Sequence, residues 1–317
     1  MLVDRNKLLT EIFLLIGILY SLSPWGSSAA ALGFGVGIAI ILGNPLSELT
    51  KKITPKLLSF SIIGLGAGMN LVTVSQAGLS GLGYTVVSIS ATLFAGILLG
   101  KFFDSDRETS LLISVGTAIC GGSAIAAIAP VIRAKSNSMT VALVTVFILN
   151  AIALVVFPPI GHFFKLSQHQ FGIWSALAIH DTSSVVGAGL QYGAEALQVG
   201  TTVKLARALW IVPLTIGFGF LQNKNASDVK VKTKKPWFIL GFLVMAGVVT
   251  WIPESQMMGS WVEFVAKRGL VLTFFFIGSN LSRDTFKQVG LRPFFQGFFL
   301  WILVLSSTLI FVKLLVL

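Results

Sequence analysis

Apolar residues run along this chain in blocks of about 17–25, separated by short polar turns, and one such block crosses about 30 Å of hydrocarbon as a helix. Hydropathy and helix breakers predict eleven spans, at roughly 9–24, 28–44, 57–73, 82–100, 109–132, 138–160, 171–190, 199–221, 237–252, 262–280 and 293–315. No low-complexity tract, long linker or soluble block interrupts them. The expected fold is an all-α polytopic membrane protein of about ten or eleven transmembrane helices, forming one domain over residues 1–317.

Composition agrees, since the chain is 55% hydrophobic and 11% charged with a mean hydropathy of +0.88, whereas a soluble domain carries about 25% charged residues. The net charge of +11 lies mostly in short loops. That excludes nucleic acid as a partner and instead orients the chain by the positive-inside rule. Lys51, Lys52 and Lys56, then Lys224, Lys230, Lys232, Lys234 and Lys235, then Arg283, Lys287 and Arg292 share one side with Arg5 and Lys7 when eleven crossings are counted. The N-terminus is thus expected in the cytoplasm and the C-terminus outside. Arg133 and Lys135 fall on the opposite side in this count. The opening MLVDRNKLLTEIFLLIGILYSLS carries Asp4 and Glu11, and another span follows at once, so it reads as a retained helix rather than a signal peptide. Trp25, Trp237, Trp251 and Trp261 stand at span ends, as an aromatic belt requires.

Two internal similarities stand out. GLGAGMNLVTVSQAG and FFFIGSNLSRDTFKQVG share Gly-x-Asn-Leu at Gly68, Asn70 and Leu71 and at Gly278, Asn280 and Leu281, followed by a polar turn, a Gln and a Gly. Seven spans separate them, so they run in opposite directions, as inverted repeats do. TAICGGSAIAAIAP and LAIHDTSSVVGAGL align Ala118-Ile119 with Ala178-Ile179 and Ser123 with Ser183. In an eleven-span count these two run the same way, so either one segment is re-entrant, or the count is off by one, or the match is chance.

Asp181 is the one acidic residue, of twelve, placed well inside a span. A charge at the bilayer centre costs at least about 2.5–3.5 kcal/mol, so it faces a cavity or a partner. With His180 it could bind and release protons; a structural ion pair or a hydrogen-bonded packing role is the plainer reading. Neighbouring helical residues point about 100° apart, so the two share a ligand only where the helix breaks. Thr182, Ser183 and Ser184, followed by Gly187 and Gly189, suit such a break, and Cys120-Gly121-Gly122-Ser123 suits a second. Broken helices present free N–H groups to an anion, whereas tight packing of small residues is the bland alternative. Lys204 and Arg207 share a helix face near the expected start of span eight, where they could meet an oxyanion, pair with Asp181, or simply reach to the interface.

Enzyme chemistry fits poorly. His162 and His169, the other two histidines, look like loop residues, so a metal site of three or four ligands does not assemble. A single cysteine, Cys120, gives no disulfide framework and no cysteine-built zinc site. A helix directs Ser183 and Ser184 away from a base, and no P-loop is present to use ATP.

At these residues the chain resembles the YeiH family of bacterial membrane proteins, a family named for sulfate export. The resemblance covers nearly everything from about residue 30 onward, and is carried by GLGAGMNLVTVSQAG, AICGGSAIAAIAPVIRAKS, AIHDTSSVVGAG, VKLARALWIVP and IGSNLSRDTFKQVG in that order. It implies an inner-membrane secondary carrier, distantly similar to the bile-acid/sodium symporter and sodium/proton antiporter superfamily, with inverted repeats and crossing broken helices around a central site. Two departures are visible. Ala129 precedes Pro130 where the family often has an acidic residue, and Asp181 stands where it often has Glu.

The expected function is therefore a secondary active transporter in the bacterial inner membrane, exporting a small oxyanion (sulfate, sulfite or sulfonate) coupled to protons or sodium. A passive anion channel is the alternative. Cys120, Gly121, Gly122, Ser123, Thr182, Ser183, Ser184, Lys204 and Arg207 are expected to hold the anion. His180, Asp181, Asn70 and Asn280 are expected to serve the coupling ion. Besides the lipid bilayer and these ions no cofactor or metal is expected; a homodimer is left open.

Overall fold

A computed structural model of the protein describes residues 2–222, 237–281 and 290–316. Every regular element among them is helical: α1 (Leu2–Leu22), α2 (Ser28–Ile41), α3 (Ser47–Leu65), α4 (Leu71–Phe102), α5 (Arg107–Ala118), α6 (Gly122–Val131), α7 (Ser136–Phe163), α8 (Gln168–Ala178), α9 (Thr182–Tyr192), α10 (Ala194–Ala208), α11 (Ile211–Gln222), α12 (Trp237–Trp251), α13 (Gln256–Ser279) and α14 (Leu291–Leu315). The all-α membrane architecture read from hydropathy is the one observed. Each expected span has its helix or helix pair: α5 and α6 together form the fifth, α8 and α9 the seventh, and α10 and α11 the eighth. Lys224, Lys230, Lys232, Lys234, Lys235, Arg283 and Lys287, which helped to orient the chain, lie outside the described residues.

The helices fall into two compact units, Met1–Ser75 with Pro236–Lys287, and Gln76–Lys235 with Gln288–Leu317. In the first, α3 and α13 pack antiparallel, with Gly64 against Ala266 and Gly269 against Ser61. Gly35 of α2 lies on the backbone of Phe275, and Gly278 of α13 lies on the carbonyl of Leu32. Without side chains at these glycines the two helix backbones can touch, as in small-residue membrane interfaces. The shared Gly-x-Asn-Leu motif thus ends two helices that run in opposite directions.

The second unit holds all four helical stretches that are long and apolar enough to cross a membrane among the described residues: Thr85–Phe102, Asn137–Phe163, Ala194–Phe220 and Leu291–Leu315. Around them α5–α6 and α8–α9 do something hydropathy does not foresee. Lys135, just beyond α6, donates its backbone N–H to Glu108 Oε2 near the start of α5 at 2.8 Å. Had α5 and α6 run on in one direction, those residues would lie about 40 Å apart. Instead the chain reverses at Ile119–Gly121, where the Gly121 N–H bonds back to the carbonyl of Gly116 at 2.8 Å. Gly121 sits at φ +66°, a conformation that residues with a Cβ rarely adopt.

The second pair also doubles back. Tyr192, ending α9, stacks on Phe171 near the start of α8 with centroids 3.7 Å apart and donates its hydroxyl to the carbonyl of Leu166 at 2.7 Å. Ser167 and Gln170 form a capping box that starts α8, and Asp181 caps α9. Both pairs are helical hairpins rather than the crossing broken helices expected.

Their bases lie at opposite ends of α7. Ser138, at its start, bonds Asp106 at the foot of the first hairpin at 3.2 Å, and Gly161, near its end, lies against Phe171 and Tyr192 of the second. α10 and α11 run the other way, from Gly200 against Ser175 to Gly219 beside Val131. The unit therefore repeats one motif, a hairpin followed by a spanning helix, in inverted orientation. The match of Ala118 with Ala178 and Ser123 with Ser183 is that repeat. Re-entrance explains why two similar segments had seemed to run the same way.

Candidate functional site

Where the hairpin tips meet, Gly121 faces Asp181: a Cβ on the glycine would come within 3.3 Å of Asp181 Cβ and 3.5 Å of the His180 carbonyl carbon. Val146 of α7 closes the same spot at 3.3 Å. Asn150, four residues further along α7, accepts the backbone N–H groups of His180 at 3.1 Å and Asp181 at 3.3 Å on its Oδ1. The tips thus sit at the midpoint of a 28-residue helix, about 20 Å from either of its ends.

Four helix ends converge there, and three are matched by side-chain charge. Asp181 caps α9, accepting the Ser184 N–H at 2.7 Å and the Ser183 hydroxyl at 3.0 Å. Arg207 Nε donates to the carbonyl of Ala118, the last residue of α5, at 2.8 Å, and its Nη1 donates to the carbonyl of Leu177 in α8 at 2.9 Å. Lys204 donates to the carbonyls of Ile179 at 2.6 Å and Ala176 at 3.2 Å. Cations at helix C-termini and an anion at a helix N-terminus are the favourable arrangement of charge on helix dipoles. The fourth end, the start of α6 at Gly122, has no charged cap; the neutral Cys120 thiol stands at its Ala124 N–H.

The sequence residues Cys120, Gly121, Gly122, Ser123, His180, Asp181, Thr182, Ser183, Ser184, Lys204 and Arg207 are therefore gathered in one unit around one point. Lys204 and Arg207 are each 0% exposed and lie near the middle of the Ala194–Phe220 stretch rather than close to an interface. Among the described residues neither forms an ion pair with Asp181; their donors go to carbonyls and, for Arg207, also to Ser88 Oγ at 3.2 Å. Ser123 is exposed, Gly122 half-buried, and Thr182, Ser183 and Ser184 are buried. Cys120 is a buried free thiol.

Asn70 and Asn280 belong to the first unit. Asn70 Oδ1 accepts the Val72 N–H at 2.9 Å in the turn before α4. Asn280 ends α13 and accepts the Thr50 hydroxyl at 2.8 Å, with Asn44 bonded to the neighbouring Ser279 carbonyl at 3.1 Å. Ala67, Asn70, Thr250, Gln256, Ser260 and Glu263 line a cavity of about 250 Å³ in that unit. Glu263 is ion-paired with Lys267 at 2.7 Å.

Sequence reasoning missed Asn150. Its signal was a lone amide in the otherwise apolar run TVFILNAIALVV. His180 is 0% exposed, and neither ring nitrogen has a hydrogen-bond partner among the described residues; the same holds for Asn150 Nδ2. No cluster of three or more His, Cys, Asp or Glu suited to a metal occurs among the described residues.

The family model described as conserved hypothetical protein 698 matches residues 8–297. The UPF0324 membrane protein Bd1437 of Bdellovibrio bacteriovorus is 60% identical over 93% of this chain and 91% of its own length. GSU2818 of Geobacter sulfurreducens, also a UPF0324 membrane protein, is 47% identical over 92% of this chain and 93% of its own. A UPF0324 membrane protein of Bacteroides thetaiotaomicron is 46% identical over 92% of this chain and 87% of its own. No solved structure matches the chain. With these relatives and the apolar helices above, the protein is a multi-pass membrane protein and belongs to the UPF0324 family of conserved hypothetical protein 698, which is the YeiH family its motifs resemble.

Proposed function

We propose that this protein is a secondary active transporter of the bacterial inner membrane that exports a small oxyanion, such as sulfate, sulfite or a sulfonate, coupled to protons or sodium. The observation that carries this reading is the meeting of two oppositely inserted hairpins at the middle of α7, beside two fully buried cations. Non-helical backbone at membrane depth is tolerated where it lines a site, and paired inverted elements allow one site to open alternately to each side. The start of α6, which has no charged cap, offers the N–H groups of Gly122 and Ser123 and the Ser123 hydroxyl to an anion. Lys204 and Arg207 act mainly through their field, because carbonyls and the Ser88 hydroxyl occupy most of their donors. Asp181 and His180 lie close enough to the anion for a proton or sodium ion there to change its affinity.

The hairpins also bear on orientation. Lys101, Arg107, Arg133, Lys135 and Arg292 gather at the end of the second unit that carries the foot of the first hairpin. Arg133 and Lys135, misplaced when the fifth segment counts as a crossing, then share the cytoplasmic face with the other cations. Counting α1, α2, α3, α4, α7, α10–α11, α12, α13 and α14 as crossings keeps the N-terminus in the cytoplasm.

Reconstitution into proteoliposomes tests the function. Uphill oxyanion movement driven by an imposed pH or sodium gradient is expected, and Asp181→Asn should abolish the coupling while the protein remains folded. Purely downhill flux, or gradient-driven transport unchanged by Asp181→Asn, would overturn the coupled mechanism.

A further inference from the structure

We propose that the site between the hairpin tips is built for an oxyanion of single negative charge and discriminates against doubly charged ones. This rests on the transport reading above. At the centre of the second unit the charged side chains are Lys204, Arg207 and Asp181. The acids Asp104, Asp106, Glu108 and Glu195 stand at the hairpin feet; Glu195, on the same helix as Lys204, is nine residues from it, or about 13 Å along the axis. The four converging helix ends contribute about half a charge each, two of either sign, and cancel. With Lys204 protonated, one positive charge is left over in a setting where an unmatched charge is costly. A singly charged anion neutralises it, and a doubly charged one leaves an equal excess of the opposite sign.

The inverted repeat says where that anion sits. In the second hairpin the Asp181 carboxylate accepts the Ser183 hydroxyl at 3.0 Å and the Ser184 N–H at 2.7 Å. Sixty positions earlier the corresponding residues are Gly121, Ser123 and Ala124, and the Ala124 N–H meets the neutral Cys120 thiol, so the first hairpin has the hydroxyl and the helix start without the carboxylate's charge. The bound anion supplies the negative charge that Asp181 supplies to its sister. A second observation stands beside the meeting point of the tips. Asn150, 3% exposed, bonds the second tip through Oδ1, while its Nδ2 donor has no partner among the described residues.

Methanesulfonate and sulfate share a sulfur–oxygen head and differ in charge, so they separate valence from shape. Binding of each to the purified full-length protein would be measured by calorimetry in chloride-free buffer at neutral pH, with nitrate as a second singly charged probe. Methanesulfonate should bind at least tenfold tighter than sulfate. Asp181→Asn, which keeps a capping side chain, leaves two positive charges and should shift the ratio at least tenfold toward sulfate. Lys204→Met should weaken methanesulfonate at least tenfold. Sulfate binding as tightly as methanesulfonate, or an unchanged ratio in Asp181→Asn, would overturn the charge match and leave the transport reading standing. No binding of any of the three probes to the wild-type protein would overturn both.

Discussion

Asp181 stands so close to Gly121 that a methyl group on the glycine would come within 3.3 Å of the aspartate Cβ, although the two residues tip hairpins rooted at opposite ends of α7. Gly121→Ala should therefore do two kinds of damage. It strains a backbone at φ +66° and ψ −127°, at about 1–3 kcal/mol, and pushes the tips apart. Transport should fall at least tenfold while the protein still inserts into membranes; flux near wild type would show that the tips need not touch.

Arg207 ties the two hairpins together through the carbonyls of Ala118 and Leu177. Arg207→Met should leave both buried acceptors unpaired, at about 1–3 kcal/mol each, and lower the melting temperature in detergent markedly. Arg207→Lys should recover only part of the loss, because an ammonium lacks the planar fork that reaches both. Equal melting of Arg207→Met and wild type would remove the tie.

Asn150→Leu keeps the volume and removes the acceptor for the N–H groups of His180 and Asp181. The expected cost is again about 1–3 kcal/mol per unpaired group, with oxyanion binding weakened as the second tip loosens. Melting curves and calorimetry on one sample would read both, and normal values for both would refute this role.

Re-entrance has a direct chemical test. In a Cys120→Ser background, Ala134→Cys at the foot of the first hairpin should react with an impermeant thiol reagent from the cytoplasmic face alone. Glu195→Cys, at the foot of the second, should react from the opposite face alone. Labelling of Ala134→Cys from outside would restore the fifth segment as a crossing.

Asp106, at the foot of the first hairpin, has its carboxyl held below the ordinary value of 3.8, chiefly by the Thr109 backbone N–H. A lowered folded value means that this stabilisation is fully present above the unfolded value and fades as pH drops through the folded one. Its share of stability should therefore hold from neutral pH to about pH 5 and decline below about pH 4. Asp106→Ala should cost about 1 kcal/mol at neutral pH and flatten that decline. Parallel melting curves from pH 7 to 3 check both, and identical slopes would contradict the cap.

Polar runs within apolar blocks mark both tips in the sequence, because Gly121, Gly122 and Asp181 are residues a buried continuous helix would not choose. The reversal at each tip was not legible for a reason of length. α8 and α9, with 11 residues each, together match one membrane crossing, and hydropathy does not register direction. Only a bond such as that between Lys135 and Glu108 does. An interfacial reach stayed open for Lys204 and Arg207, beside an anion contact, because span eight was expected to begin at about residue 199, whereas α10 begins at Ala194 directly behind Gly193. A handful of residues at the start of a helix moved both cations from a rim to a centre.

The Ala118 carbonyl has a further consequence, for the order in which the protein can be made. Its partner, Arg207, lies 89 positions later in the chain. A ribosome will have released the whole first hairpin, and α7 behind it, before that guanidinium exists. Until then the hairpin tip has an acceptor that lipid will not satisfy. The first hairpin can complete its tip only once α10 has arrived, so the cation that joins the two halves is supplied well after the earlier half has left the ribosome.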